Sequence, residues 1–147
     1  MTSYEDFKQA ALEAGNNFLS TIDDKHIHII AHYDTDGLCS SALLQEAFSR
    51  RSISFSTSFY QHLDGAVLDS IAENDAEVYL FTDIGSSKAS EIKNKFEDKT
   101  VIILDHHSCK PTEEQASDSF VHINPYCYGI TGSNEISGAG VAYFFVL

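Results

Sequence analysis

Ile102-Ile103-Leu104-Asp105-His106-His107 is the stretch on which the reading of this chain turns. Three apolar residues run straight into one carboxylate and two imidazoles. A short apolar run without polar alternation is the pattern of a strand covered on both faces, so the polar triplet sits where that strand ends. Two other apolar runs end alike. Residues 27–31 lead into His32-Tyr33-Asp34-Thr35-Asp36-Gly37, and residues 78–82 lead into Asp83. The chain is organised to bring three strand ends together.

A length of 147 residues predicts one domain with a core of ordinary size, and the 43% hydrophobic content excludes a disordered chain. The formal net charge of −13 argues against a self-sufficient nucleic-acid binder, because phosphate contacts need clustered Lys and Arg. Only Arg50-Arg51 and residues 88–99 are locally basic. Acidity as a plain aid to solubility explains the same number. Cys39, Cys109 and Cys127 are widely spaced and contain no C-x-x-C, which suits a reducing compartment and neither a disulfide scaffold nor a Cys-type zinc site. The N-terminus lacks an apolar signal core, and no run approaches the ~20 apolar residues of a membrane span. A cytoplasmic protein without a membrane partner is expected.

Along the chain, Ser3-x-x-Asp6 reads as a capping box. Tyr4, Phe7, Ala11, Ala14, Phe18 and Ile22 then form one helical stripe. Strand one is predicted over 26–31, with His26 and His28 on one face as strand-end polar residues. Gly37 is read as a tight turn into a helix over 38–50. Residues 53–60 alternate Ser or Thr with apolar residues and predict an edge strand. Asp64 caps a short helix through Ala72. Strand three covers 77–82, a helix 87–96, strand four 100–104. An irregular acidic segment, 110–119, precedes strand five at 120–123. Asn124-Pro125 and residues 131–134 are turn signals, and Gly138 begins a last helix. Alternating strands and helices predict an α/β protein: a three-layer αβα fold with a five-stranded parallel sheet of order 2-1-3-4-5. In that order strands one, three and four are neighbours, and ligands bind at their carboxyl ends.

In His32-x-Asp34-x-Asp36-Gly37, alternate side chains beyond a strand end can face a common site, and the following helix offers free amides to an anion. An Asx turn with an N-cap accounts for one Asp but not for His32 and two Asps. Asp83 alone reads as a helix cap; between the other two loops it reads as a carboxylate able to bridge two cations. Two consecutive imidazoles after Asp105 have no packing reason to exist. Such a cluster repels itself unless divalent cations neutralise it. Mixed imidazole and carboxylate ligands favour Mn²⁺ over Mg²⁺, with Zn²⁺ and Co²⁺ as further options. Two ions about 3.5–4 Å apart activate a water and hold a phosphate oxygen.

These three motifs resemble the first three of the DHH phosphoesterase superfamily. Ile123-Asn124-Pro125 and Ser137-Gly138-Ala139-Gly140-Val141-Ala142 are similar to the RecJ branch, particularly archaeal RecJ-like proteins. The resemblance implies a Mn²⁺-dependent hydrolase with His32, Asp34, Asp36, Asp83 and His106 as ligands and Asp83 bridging. It implies that His107 contacts the scissile phosphate and that Asp105 orients an imidazole from behind. Asp36, Asp83, His106 and His107 form the expected catalytic set. DHH enzymes also carry a fourth motif with a further Asp and a second, substrate-gripping domain. This chain ends before both, so a lone, truncated catalytic half is expected, with one metal short of a ligand and no activity by itself.

The resemblance implies a nuclease: a single-strand-specific exonuclease of the RecJ type, active on DNA, in the setting of DNA repair with replication or repair proteins as partners. A small-substrate DHH phosphoesterase acting on a short oligonucleotide, cyclic dinucleotide or pyrophosphate is the alternative; pyrophosphatase relatives have a different first-motif spacing. A non-catalytic RecJ-like replication partner is a third reading, opposed by the intact motifs. A receiver-like signalling domain shares the strand order but needs a Lys after strand five and has no use for His106 and His107.

Overall fold

Five short strands carry the molecule: β1 (Ile27–His32), β2 (Phe55–Tyr60), β3 (Val78–Thr82), β4 (Thr100–Leu104) and β5 (Phe120–Ile123). They form one sheet in the order β2-β1-β3-β4-β5, every pair parallel. The structure is a computed structural model and describes residues 3–109 and 117–147. The irregular acidic segment expected over 110–119 falls mostly outside those residues.

Alternation along each strand sends side chains to two cores. Ile27, Ile29, Leu80, Ile102 and Leu104 face α1 (Ser3–Thr21), α2 (Thr35–Arg50) and α5 (Gly138–Val146), which contribute Phe7, Phe18, Leu44, Phe48, Val141 and Phe145. Ile30, Tyr79, Phe81, Val101 and Ile103 face α3 (Gly65–Ala72) and α4 (Ala89–Lys95) through Leu68, Ile71, Ala89 and Ile92. The three-layer αβα architecture follows. The central strands are buried on both faces, while β2, half polar, lies at an edge.

The register sets the position of the site. Ala31, Thr82, Leu104 and Ile123 are level across neighbouring strands, and His32 is level with Tyr60. The next residue on each chain therefore falls in one row: Tyr60, His32, Asp83, Asp105, Asn124. A one-residue slip would turn these side chains to the wrong face.

Local chemistry moved several boundaries. α1 begins at Ser3 itself, so Ser3 lies in the first turn and not ahead of it. α2 begins three residues earlier than expected, because the Asp34 carboxylate accepts from Gly37 N at 2.9 Å and caps it there. Gly37 is thus a helical residue and not a turn. Its role is close approach, since a Cβ would lie 2.0 Å from the His32 carbonyl oxygen. Asp64 caps α3 in the same manner. A 3-10 turn, Ser86–Lys88, precedes α4, and Asn124 caps a second, Pro125–Tyr128. His26 and His28 bond Ser54 and Ser56 across β1 and β2. Among the described residues, no helix is long and apolar enough to cross a membrane.

Candidate metal centre

Asp83 stands in the middle of the row and has no exposed surface. Its φ of +58° lies in the left-handed region, uncommon for a residue with a side chain. It caps no helix; the turn after it is capped by Gly85 without a side-chain bond. Among the described residues, neither carboxylate oxygen meets a well-aligned hydrogen-bond donor. A buried carboxylate left in that state is costly.

Each Asp83 oxygen instead faces a different imidazole. Oδ2 lies 3.5 Å from His32 Nδ1, and Oδ1 lies 3.1 Å from His106 Nε2. On the first side Asp34 Oδ2 is 3.1 Å from His32 Nδ1, an atom that is itself buried without a hydrogen bond. Asp34 serves twice, since its Oδ1 caps α2. On the second side Asp36 Oδ2 is 3.4 Å from His106 Nε2. His32, Asp34 and Asp83 offer ligand atoms that all lie within 4.8 Å of one another, and so do Asp83, His106 and His107. Asp83 belongs to both groups, whereas Asp36 and Asp105 belong to neither.

The imidazoles are held from behind. His106 Nδ1 faces the carbonyl oxygens of Gly132 at 2.8 Å and Ile136 at 3.0 Å. Only an N–H suits two acceptors, so the neutral ring turns its Nε2 lone pair toward Asp83 and Asp36. His107 Nδ1 lies 2.8 Å from Asp105 Oδ1, and among the described residues Nε2 of this half-exposed ring has no hydrogen-bond partner. Asp105, almost wholly buried, also accepts from the backbone N–H of Ser86, His106 and His107. All seven residues expected from sequence are therefore brought to one rim, Asp105 behind the others.

Asp36 is held in an unforeseen way. Its carboxylate accepts from Gly138 N at 2.7 Å and Ala139 N at 2.9 Å, which are the first amides of α5. Ser137 Oγ takes the Gly140 amide. A carboxylate from one helix thus caps another, favourably placed at its positive end.

Charge coupling matches this geometry. Burial raises the Asp83 carboxyl, and Asp36 and Asp34 raise it further against the opposing pull of His106. The Asp83 carboxylate lifts His106 to about 9 despite burial. Burial pushes Asp105 up, but the His107 ring and the Ser86 amide outweigh it and hold the carboxyl at about 2. Asp105 in turn raises His107. Burial opposes ionisation of Asp34 as well, and the Gly37 amide overcomes it. In the metal-free protein a proton on His106 thus offsets part of the Asp83 charge.

A pH profile follows. The stability that His106 lends is full below its ordinary 6.5 and lost as pH rises through about 9. That from Asp105 is full above 3.8 and lost as pH falls through about 2. The raised Asp83 carboxyl adds to the loss on the alkaline side. The urea midpoint of chelator-treated protein is expected to be higher near pH 5.5 than at either 9 or 2.5. A midpoint still rising from pH 6.5 to 9 would contradict this coupling.

Sequence reading gave no site role to Ser86, His122 or the two carbonyls behind His106, and read Asn124 only as a turn signal and as part of the Ile123-Asn124-Pro125 resemblance. A further signal was there: an apolar run, Phe120–Ile123, ends on Asn124 as the other runs end on Asp83 and Asp105.

An orphaned buried carboxylate shared by two imidazole–carboxylate groups, at the carboxyl ends of a parallel sheet, is a donor set that fits divalent cations. The fold and this rim define the class: an α/β protein with a candidate metal centre at the carboxyl ends of its parallel strands. Residues 26–147 match the model of the DHH family, N-terminal domain, and the chain belongs to that family. It is 34% identical over 122 residues to the uncharacterized protein MJ0831 of Methanocaldococcus jannaschii, covering 80% of this chain and 28% of the relative. RecJ from Thermus thermophilus, crystallised in complex with Mn²⁺, superimposes with a TM-score of 0.73 at 21% identity, over 93% of this chain and 20% of that one. Exonuclease RecJ bound to manganese gives 0.66 at 21% identity, over 95% and 36%. CDC45 from Entamoeba histolytica gives 0.62 at 18% identity, over 99% and 29%. The chain is a DHH N-terminal domain with a fold like that of RecJ, and it spans about a quarter of the length of the curated relative it matches.

Proposed function

We propose that this domain carries the hydrolytic centre of a Mn²⁺-dependent phosphodiesterase of the RecJ type, acting on single-stranded nucleic acid. The observation that carries the reading is Asp83, buried, without a hydrogen bond, and facing one imidazole with each oxygen. His32 and Asp34 would hold a cation on one side of it, His106 and Asp36 on the other. Bound there, the pair would supply Lewis acidity toward a phosphate oxygen and lower the pKa of an attacking water. His107 keeps Nδ1 on Asp105 and presents Nε2 outward, where its raised basicity suits donation to a phosphoryl oxygen as charge develops. The seven side chains of the acidic rim include no Lys or Arg to grip a polyanion. Substrate is therefore held by parts of the protein beyond these residues, in keeping with relatives several times longer. RecJ and manganese in two structural neighbours support the metal and the chemistry.

The test is hydrolysis by the full-length protein. A single-stranded 30-mer is expected to release nucleotides with Mn²⁺ and not after chelation. Absence of turnover with Mn²⁺, Mg²⁺ and Co²⁺ would overturn the reading. The net charge of −13 favours a second one, a DHH enzyme of small substrates. Faster turnover of a dinucleotide than of the 30-mer would decide for it.

A further inference from the structure

Behind the candidate centre lies a buried polar cluster that the proposed chemistry does not use. Ser86 is 6% exposed, His122 and Asn124 not at all. The Asn124 amide is fully engaged: Nδ2 donates to Ser86 Oγ at 2.8 Å and to the His107 carbonyl at 3.0 Å, and Oδ1 accepts from Tyr126 N at 2.9 Å. Turning the amide over would set its NH₂ against the Tyr126 N–H and its oxygen against the His107 carbonyl, so one orientation is fixed. Ser86 Oγ also lies 2.8 Å from His122 Nε2, and its hydroxyl meets Cys109. The Ser86 amide donates to Asp105 Oδ2, and Asp105 Oδ1 holds the His107 ring. His122 is kept neutral by burial, and its Nδ1 has no partner, so its one bond is the one to Ser86.

Three strand ends are tied together by this cluster; its ties reach the rim through Asn124 and through Asp105, which also accepts from the His106 amide, and the one imidazole ring they hold is that of His107. One passes through Asn124 to its carbonyl, the other through Ser86 and Asp105 to its ring. None touches His32, Asp34 or Asp83. We infer that Asn124 and Ser86 are positioning residues for His107, fixing the backbone and ring so that Nε2 stays turned to the substrate. The inference rests on the proposed role of His107 for its kinetic consequence, and on the geometry alone for its structural one. A low-dielectric network of this kind is satisfied as a whole or disrupted as a whole.

Two variants test it. Asn124→Asp keeps the shape and replaces the donating NH₂ by an acceptor facing two oxygens. Ser86→Ala keeps the backbone bond to Asp105 and deletes the oxygen on which Asn124 and His122 meet. In the metal-free full-length protein, the imidazole ¹⁵N signals of His107 are expected to shift or broaden in both, while those of His26, bonded to Ser54 and Ser56 away from the cluster, do not. Mn²⁺ stoichiometry should match the unaltered protein. The kcat on the single-stranded 30-mer should fall about 10–100-fold, with KM changed less than twofold. Unchanged His107 signals in folded Ser86→Ala protein would overturn the inference. So would loss of bound Mn²⁺ in parallel, or a Ser86→Ala chain that fails to fold, since either assigns the cluster to the fold alone. If the unaltered protein hydrolyses nothing, the proposed function fails, and the imidazole spectra still decide the positioning.

Discussion

Asp83→Asn should strip both cations from the protein at once. The full-length protein is expected to bind two Mn²⁺ per chain and the variant none, measured by equilibrium dialysis. Hydrolysis should fall on the order of 10³-fold or more, about 4 kcal/mol in the barrier. Two separate sites would lose one ion; a shared carboxylate loses both, because each oxygen serves a different side of the rim. Stability separates this from misfolding. The carboxylate is buried, its attraction in the metal-free protein is to His106, and it repels Asp34 and Asp36. An amide of the same shape relieves that repulsion while giving up the attraction to His106. The metal-free melting midpoint should therefore stay within about 3 °C, roughly 1 kcal/mol. Mn²⁺ at about 100 times Kd should add about 2.7 kcal/mol to the unaltered protein and nothing to the variant. A variant that keeps one tightly held ion would show that Asp83 does not bridge.

Gly138→Ala is expected to damage the centre from a residue with no ligand atom. A Cβ there would lie 2.5 Å from Asp83 Oδ1 and 2.8 Å from Asp83 Cβ. Asp83 cannot retreat, since it is fully buried and held at an uncommon φ. The start of α5 must back away, withdrawing its amides from Asp36. Overpacking of this kind costs about 1–3 kcal/mol, and Mn²⁺ affinity should fall more than about tenfold, or 1.4 kcal/mol. Gly65→Ala is the control. It adds the same methyl in α3 with nothing within 4 Å, and should leave Mn²⁺ binding unchanged and stability equal or up to about 1 kcal/mol higher. Unaltered Mn²⁺ binding in Gly138→Ala would mean that the helix start and Asp83 do not share the space described.

What the sequence made legible was periodic and local. The apolar runs ending on Asp83 and on Asp105 to His107 are strands β3 and β4, and the crossover helices between runs dictate parallel pairing; the order β2-β1-β3-β4-β5 is expected as a common one for such a sheet, and it is the order found. The spacing of His32, Asp34 and Asp36 places their side chains beyond one strand end, where Asp34 meets His32 while Asp36 turns to His106. The contacts that complete the rim were hidden because they join distant segments. Asp36 meets the amides of α5 102 and 103 residues away, and Asn124 meets Ser86 38 residues away. Their partners are backbone N–H groups or neutral side chains, which leave no charge pattern to read. Asp34 fills both readings that the sequence set apart, since the residue that faces His32 is also the N-cap that starts α2, an overlap that spacing does not reveal.

The carboxylate of Asp36 is common property of the rim and of a helix. Its oxygens are occupied by Gly138 and Ala139, yet one of them stands 3.4 Å from His106. Any cation drawing electron density from that oxygen weakens its grip on the helix, and any tug on the helix shifts the oxygen. A cation bound as proposed would thereby be geared to the footing of α5, and through Phe145 to α1, which lies outside the family match altogether. Amide exchange at residues 138 and 139 would act as a gauge of whether the centre is filled.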